Sequence, residues 1–334
     1  DLWIADKDCE TKYCPTERFN SAESSTFKNL NQEFSIIYGT AYAIGNFGTD
    51  TVSFNKIAVK NQQFAIVNKT RGALDNTPSL GKDGVKPDGI LGLGYPGLTT
   101  VPKGAKTYNP FLFNMIEQGV ISKPIFSYYM GSMSAAGWTG ELTLGGTNQK
   151  KYTGDIDYVP VTSNKKPLEL WQINAQGWSL NNKNESVIIH NPLEDKVRTA
   201  VIDTGTTLSY MDLDYTVKLL TTITGQTTLD MESQTGIFHI DCKYASSDKY
   251  LTMAFSHHSN KVDKKPLVVE IPVSSLVVPL DTIDISTAKK CGWGIIGNKS
   301  GQDFLIGQNM LRHTYLVFDM ECHKIGFAAL VDTA

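Results

Sequence analysis

Short runs of β-branched and aromatic residues, punctuated by Gly, Asn and Asp, recur along the whole chain. They include Phe34–Tyr38, Thr49–Phe54, Phe64–Val67, Phe126–Met130, Glu141–Leu144, Val187–Ile189, Leu267–Val273 and Tyr315–Phe318. Runs of this length between turn residues predict strands, and their spacing predicts an all-β fold with few helices. Three helices are expected. One follows Asn109-Pro110, shows Phe111, Leu112, Met115 and Ile116 on one face, and stops at Gly119. A second starts from Asp212 as its cap and runs through Leu219 and Leu220 to Gly225. A third, short one follows Gly307. An apolar pair running into glycine occurs twice, as Ile90-Leu91-Gly92 and Leu305-Ile306-Gly307, which suggests a duplicated unit. The polar stretch Ser163-Asn164-Lys165-Lys166-Pro167 is the expected boundary, giving lobes 1–165 and 166–334.

Composition adds mainly exclusions. The chain has 334 residues, 41% hydrophobic and 19% charged, with a formal net charge of −3. Such weak acidity offers no field for nucleic acid or anionic lipid. The most apolar segment, Leu267–Leu280, is interrupted by Glu270, Pro272 and two serines, so no membrane span is expected. Five cysteines are present. Cys9 and Cys14 could clip a short loop, Cys242 and Cys291 could close a long one, and Cys322 is left over and expected to be buried; five reduced core thiols are the alternative. Three N-x-S/T triplets begin at Asn68, Asn184 and Asn298. Together with paired cysteines they point to an oxidising, glycosylating route.

Candidate chemistry centres on Ala200-Val201-Ile202-Asp203-Thr204-Gly205-Thr206-Thr207. The strand-like Val201-Ile202 would hold Asp203 rigidly, Gly205 permits a tight turn and presents its N–H, and Thr206 offers a hydroxyl to the carboxylate. The tripeptide alone is weak, since roughly one unselected chain of this size in ten to twenty would contain it. Its plain reading is an acidic β-turn. Phe34–Ala41 reads as a strand reaching a hairpin tip at Tyr38-Gly39-Thr40, either an ordinary hairpin or a flap that closes over a ligand. Two glycine patterns, Gly92–Gly97 and Gly292–Gly297, mimic a dinucleotide fingerprint, but Pro96 and Ile295-Ile296 suit a helix opening badly. His257-His258 and His239-x-x-Cys242 lack a four-ligand metal pattern, and solvent-facing histidines explain them better.

Taken in order, these segments resemble the pepsin family of aspartic endopeptidases over nearly the whole length. Asp1-Leu2-Trp3-Ile4 is similar to the segment after the first catalytic D-T-G-S-S, and Ser24-Ser25-Thr26-Phe27 to the segment before the flap. Tyr38-Gly39-Thr40 matches the flap tip, and Asp88–Gly94 the apolar–Gly segment of the first lobe. Asp203–Thr207 matches the second catalytic motif. Phe304–Gly307, Val317–Asp319 and Ile325–Ala328 match the closing segments. Tyr38 to Gly45 is most similar to fungal mucorpepsin-like members. The resemblance implies a bilobal fold with a central cleft, disulfides Cys9–Cys14 and Cys242–Cys291, and no metal or cofactor. It implies that Asp203 works with a second Asp on a shared water. Thr206 would bond the outer carboxylate oxygen and Thr204 would grip the other lobe. Gly205 and Thr207 would border the substrate. Tyr38, oriented by Trp3, would cover it, with Gly39 and Thr40 bonding its backbone. Phe111 and Ile121 are further apolar positions that could line pockets.

The expected partners are extended polypeptides with bulky apolar residues and statine-type inhibitors, with no nucleic acid. The protein is expected to be a monomer of the secretory pathway, secreted or vacuolar. Two departures matter. Gln308 follows Gly307 where many relatives carry Asp, and Asp203-Thr204-Gly205 is the one D-T-G in the chain. The partner Asp is therefore expected just upstream of Asp1 in a longer active enzyme, the chain by itself being inactive. A catalytically inactive binding or inhibitor protein of the same fold is the alternative.

Overall fold

The computed structural model describes residues 1–39, 41–72, 74, 87–102, 104–131, 139–163, 165–182, 185–190, 197–282, 284–298 and 303–331. It is mostly strand, as expected, with three α-helices among the described residues. The chain groups into two compact units. One comprises Asp1–Pro124 and Ser163–Leu170; the other comprises Ile125–Ala135, Thr139–Thr162 and Trp171–Ala334. The sheet containing strands Ile125–Tyr129, Glu141–Leu144 and Tyr152–Pro160 thus draws residues from both sides of position 165.

The first unit is built on a five-stranded sheet in the order Lys28–Tyr38, Ala41–Phe54, Ile57–Arg71, Leu2–Ala5, Gly89–Leu91. Alternation along these strands sends Trp3, Ala5, Phe34, Phe47, Ala65 and Val67 into one core. Phe34 and Phe47 meet edge to face across the first hairpin. The Cys9–Cys14 disulfide closes a five-residue separation beside that core. The first α-helix spans Phe111–Glu117 and buries Phe111, Leu112 and Met115, so Phe111 packs inward. Pro110, not Asn109, is its N-cap, and Gly119 follows in the left-handed region at φ 65°. The Asn109 carbonyl accepts from the Gln62 side chain, which ties this helix to strand Ile57–Arg71.

The second unit holds an eight-stranded, a five-stranded and a three-stranded sheet. Strands Tyr315–Asp319 and Ile125–Tyr129 pair antiparallel although about 190 residues separate them, with Phe318 stacked on Phe126. The three-stranded sheet carries Cys291, bonded to Cys242 across 49 residues. In the chain-entropy view that long link contributes about 4 kcal/mol and the short one about 2 kcal/mol.

Asp212 is the N-cap residue of helix Leu213–Thr224, but its side chain does not make the capping bond. Its carboxylate faces Arg198 instead, at 2.7 Å, inside the sheet layer. A charge-assisted pair there outcompetes a single neutral backbone donor. Gly225 ends the helix at φ 70°, as its position requires. Cys322 is exposed, contrary to expectation. It lies in the tight turn between Tyr315–Asp319 and Lys324–Leu330, where its N–H donates to Asp319 Oδ1 and its side chain is turned from the core. His257 is not simply solvent-facing. Its Nδ1 lies 2.5 Å from Asp263 and its Nε2 3.0 Å from Asp157.

The glycine echo corresponds to a repeated strand device. In the first unit Leu2–Ala5 runs antiparallel to Gly89–Leu91 and parallel to Ile57–Arg71. In the second, Ser209–Asp212 runs antiparallel to Phe304–Ile306 and parallel to Ile295–Asn298. Trp3 faces Ile90 in one, and Tyr210 faces Leu305 in the other. Each device ends on a glycine pressed against a carbonyl. A Cβ on Gly92 would stand 2.4 Å from the Asp1 oxygen, and one on Gly307 2.2 Å from the Leu208 oxygen.

Candidate active site

Strand Arg198–Ile202 lies between Gln172–Asn182 and Phe304–Ile306, and Ile202 is buried at its end. Pairing on both sides removes the freedom of the residue that follows. Asp203 then leaves the sheet with its N–H still donated to the Ile306 carbonyl at 3.0 Å. Its carboxylate is held from two directions. The Gly205 N–H donates to Oδ1 at 2.9 Å, and the Thr206 hydroxyl donates to Oδ2 at 2.5 Å. Two donors, one on each oxygen, fix the plane and direction of the group.

The turn itself is fastened from below. Gln308 and Asn309 donate backbone N–H groups to the Thr206 and Thr207 carbonyls, at 2.7 and 3.2 Å. The Gln308 side chain donates to the Thr204 carbonyl at 2.8 Å. Three of the turn residues, Thr204, Thr206 and Thr207, are thereby tied to the Gln308-Asn309 segment. The residue that departs from the family pattern, Gln308, contributes an amide donor to that turn.

Two further residues complete the support, and the sequence reading did not single them out. Ser209 and Asn309 are fully buried. Ser209 Oγ donates to Asn309 Oδ1 at 2.8 Å and accepts from the Gly307 N–H at 3.0 Å. Asn309 Nδ2 donates to the Gly294 carbonyl at 2.7 Å. Buried polar groups fully paired in this way hold one arrangement strongly. The signal available in the sequence was a Ser and an Asn sitting where strand and helix patterns call for apolar residues.

The first unit supplies the other group of expected residues. The hairpin Lys28–Tyr38/Ala41–Phe54 brings Tyr38 opposite Ala41, and Gly39 takes the left-handed conformation at φ 53° that its tip requires. Thr40 lies outside the described residues. Trp3 is fully buried on strand Leu2–Ala5 of the same sheet and donates its Nε1–H to the Tyr38 hydroxyl at 2.8 Å. Burial raises the Tyr38 phenol above its ordinary value, with the Trp3 bond acting the other way, so it stays neutral. Tyr108 adds a second, partly buried phenol, also raised by burial, which donates to the Asp1 carboxylate at 2.5 Å. The Thr100 N–H reaches the same carboxylate, and the Asp1 carbonyl accepts from Gly92 at 2.7 Å. These contacts pin the start of strand Leu2–Ala5, and with it Trp3.

Of the expected glycosylation positions, Asn68 is exposed on strand Ile57–Arg71. Asn298 ends strand Ile295–Asn298, while Ser300 of its triplet lies outside the described residues. Asn184 also lies outside them. No cluster of three metal-ligating side chains occurs among the described residues.

The comparisons agree with this architecture. The chain is 30% identical to gastricsin of Mus musculus over 333 residues, covering 99% of this chain and 75% of the relative. It is 29% identical to mucorpepsin of Rhizomucor miehei, covering 99% and 73%. It is 29% identical to candidapepsin of Candida tropicalis, covering 100% and 74%. The solved aspartic proteinase of Irpex lacteus superposes with a TM-score of 0.72 at 24% identity, over 100% of this chain and 88% of that one, which establishes the pepsin-like fold. The family model described as eukaryotic aspartyl protease matches residues 1–330, and the chain belongs to that family of pepsin-like aspartic endopeptidases.

Proposed function

We propose that Asp203 is one carboxylate of a catalytic aspartate pair that hydrolyses extended polypeptides, with preference for bulky apolar residues. The observation that carries this is the carboxylate itself, held by Gly205 and Thr206 at the end of a doubly paired strand. Preorganised donors around one acid cost nothing to arrange at the moment of reaction. The partner carboxylate belongs on a strand running parallel beside Gly89–Leu91, the counterpart of Arg198–Ile202 beside Phe304–Ile306. The repeated strand device and its two glycines support that placement.

In the reaction, one carboxylate takes a proton from a water lying between the pair. The water attacks the peptide carbonyl while the other, protonated carboxylate donates to the carbonyl oxygen. Two acids so close share one proton, an effect for which aspartic proteases are the standing example. Tyr38 and Gly39, with Thr40, cover the substrate and bond its backbone, and Trp3 sets the direction of the Tyr38 hydroxyl. Thr204 and Thr207 shape the turn that borders the substrate. The protein acts as a monomer on the secretory route, which the two disulfides support.

The test is cleavage of a denatured protein at acidic pH by the full-length protein, its block by a statine-type inhibitor, and its loss in Asp203→Asn. An Asp203→Asn variant that still cleaves overturns the assignment. A wild type that binds the inhibitor without cleaving identifies a binding protein instead.

A further inference from the structure

The triplet Asn68-Lys69-Thr70 sits on strand Ile57–Arg71, at a break in its ladder with Ala41–Phe54. Lys69 pairs with Ile44 and Val67 with Gly45, so Asn68 is the extra residue of a β-bulge. Without a bulge, Asn68 and Lys69 would face opposite sides; here both are exposed. An amide at that point can carry a large polar group without disturbing the core.

Thr70 is placed very differently. It is fully buried, and its hydroxyl donates to the Tyr13 carbonyl at 2.5 Å, 57 residues away. Tyr13 lies inside the loop closed by Cys9–Cys14, and the Lys69 ammonium lies over its ring. The backbone around the triplet is equally committed. Thr70 pairs with Ala43, Val67 pairs with Ala5, and the Val67 carbonyl accepts from Asp6.

We propose that Asn68 carries an N-linked glycan and that it is attached before this part of the chain folds. The transfer uses a polyprenyl-pyrophosphate-linked oligosaccharide. Nδ2 of Asn68 attacks the anomeric carbon, the sugar C–O bond to pyrophosphate breaks, a C–N bond forms, Nδ2 gives up one proton, and polyprenyl pyrophosphate leaves. An N-x-T acceptor is recognised through both its amide and its hydroxyl. In the folded protein only the amide is presented. The hydroxyl becomes available only when strand Ile57–Arg71 separates from Tyr13, so pairing of strands Leu2–Ala5 and Ile57–Arg71 and closure of the Cys9–Cys14 loop end the period in which the site is open. The inference concerns the secretory route and is independent of catalysis.

The test has two arms, both on full-length protein. Protein secreted from a eukaryotic host is stripped of glycans by an amidase in heavy-oxygen water, and the Asn68 peptide is weighed. Conversion of Asn68 to labelled Asp is expected, with loss of the label in Asn68→Gln, an exposed change that leaves the fold intact. Unlabelled Asn68 overturns the site. In the second arm, glycan-free protein is given to the transferase and its lipid-linked donor, either folded or after reduction and denaturation. The folded form is expected to be modified at the Asn68 triplet at least about tenfold more slowly, since reaction must await local opening. Equal rates overturn the order of events, whatever the protease assay shows.

Discussion

Adding one methyl group at Gly307 should disturb the Asp203 turn more than most larger changes elsewhere. Gly307 has φ −93°, which any residue can adopt, so the glycine is required by space and not by conformation. The added Cβ would lie 2.2 Å from the Leu208 oxygen and 2.7 Å from the Thr206 oxygen, both main-chain atoms. Relief to an ordinary contact needs a movement of about 1 Å. It must come from the loop that holds Asp203, because Ile306 and Gln308 are bonded to that same loop. Overpacking of this kind costs about 1–3 kcal/mol. At about 2 cal/mol/K of unfolding entropy per residue, that is a fall of roughly 1.5–4.5 °C in Tm. The kinetic effect should be larger, since a misplacement of about 1 Å can cost on the order of a hundredfold. Full-length Gly307→Ala is compared with wild type in steady-state peptide hydrolysis and by thermal melting. Gly225→Ala is the control. A Cβ there meets nothing within 4 Å, but φ is +70°, so it should lose about 1 kcal/mol and no activity. A Gly307→Ala enzyme with unchanged kcat, or a Gly225→Ala enzyme equally impaired, would refute the role assigned to the close contact.

Thr206→Val removes the donor to Asp203 Oδ2, and Thr206→Ser keeps it. A hydrogen bond to a charged group contributes about 1.5–3 kcal/mol, so Val should lower kcat/KM by roughly ten- to a hundredfold and Ser far less; equal activity of the two sinks the idea. Trp3→Phe and Tyr38→Phe each break the one bond between them, so a double-mutant cycle on kcat/KM should show coupling of about 1 kcal/mol; additive losses would mean that Trp3 acts by packing alone. His257 is raised above its ordinary value; burial lowers it, but bonds to Asp263 and Asp157 outweigh that, while Asp263 is held down at about 2 by the Lys265 N–H first and His257 next. The raised histidine stabilises the fold below its unfolded value near 6.5, and that contribution is lost as pH rises through the folded value. The depressed Asp263 stabilises above about pH 4, and its contribution is lost as pH falls toward 2. Wild-type Tm should therefore decline more than that of His257→Gln as pH rises above about 6.5; parallel profiles would exclude the clasp.

Local order was easier to read from the residues than long-range order. Strand runs such as Phe34–Tyr38 and Glu141–Leu144 alternate within themselves, so they were legible without neighbours. The helix after Gly307 and the stop at Gly225 follow from glycine's own conformational and steric properties. The Asp203 turn was legible because its donors, Gly205 and Thr206, lie within three residues. What failed to show were choices between competing partners. Asp212 was free to cap a helix or to meet Arg198, and only the sheet decides. His257 meets one partner six residues away and another a hundred residues away, so its setting could not be foreseen. Ser209 and Asn309 are likewise a hundred residues apart, and their bond exists only because Ser209–Asp212 and Phe304–Ile306 pair. The exposure of Cys322 depends on the turn it occupies, and an apolar-looking residue type points the wrong way there.

The exposed Cys322 has a practical consequence. The other four cysteines are closed into disulfides, so Cys322 is the one addressable thiol among the described residues. It sits on a turn between two strands of the second unit, away from Asp203 in sequence. Neighbouring Asp319 raises the thiol above its ordinary value, so thiolate is scarce at acidic pH. Samples kept acidic should resist oxidative cross-linking of copies, and brief exposure to alkaline buffer should let a maleimide dye attach at a single defined position. The same leftover residue that breaks the even count of cysteines becomes a ready point for surface immobilisation or distance labelling.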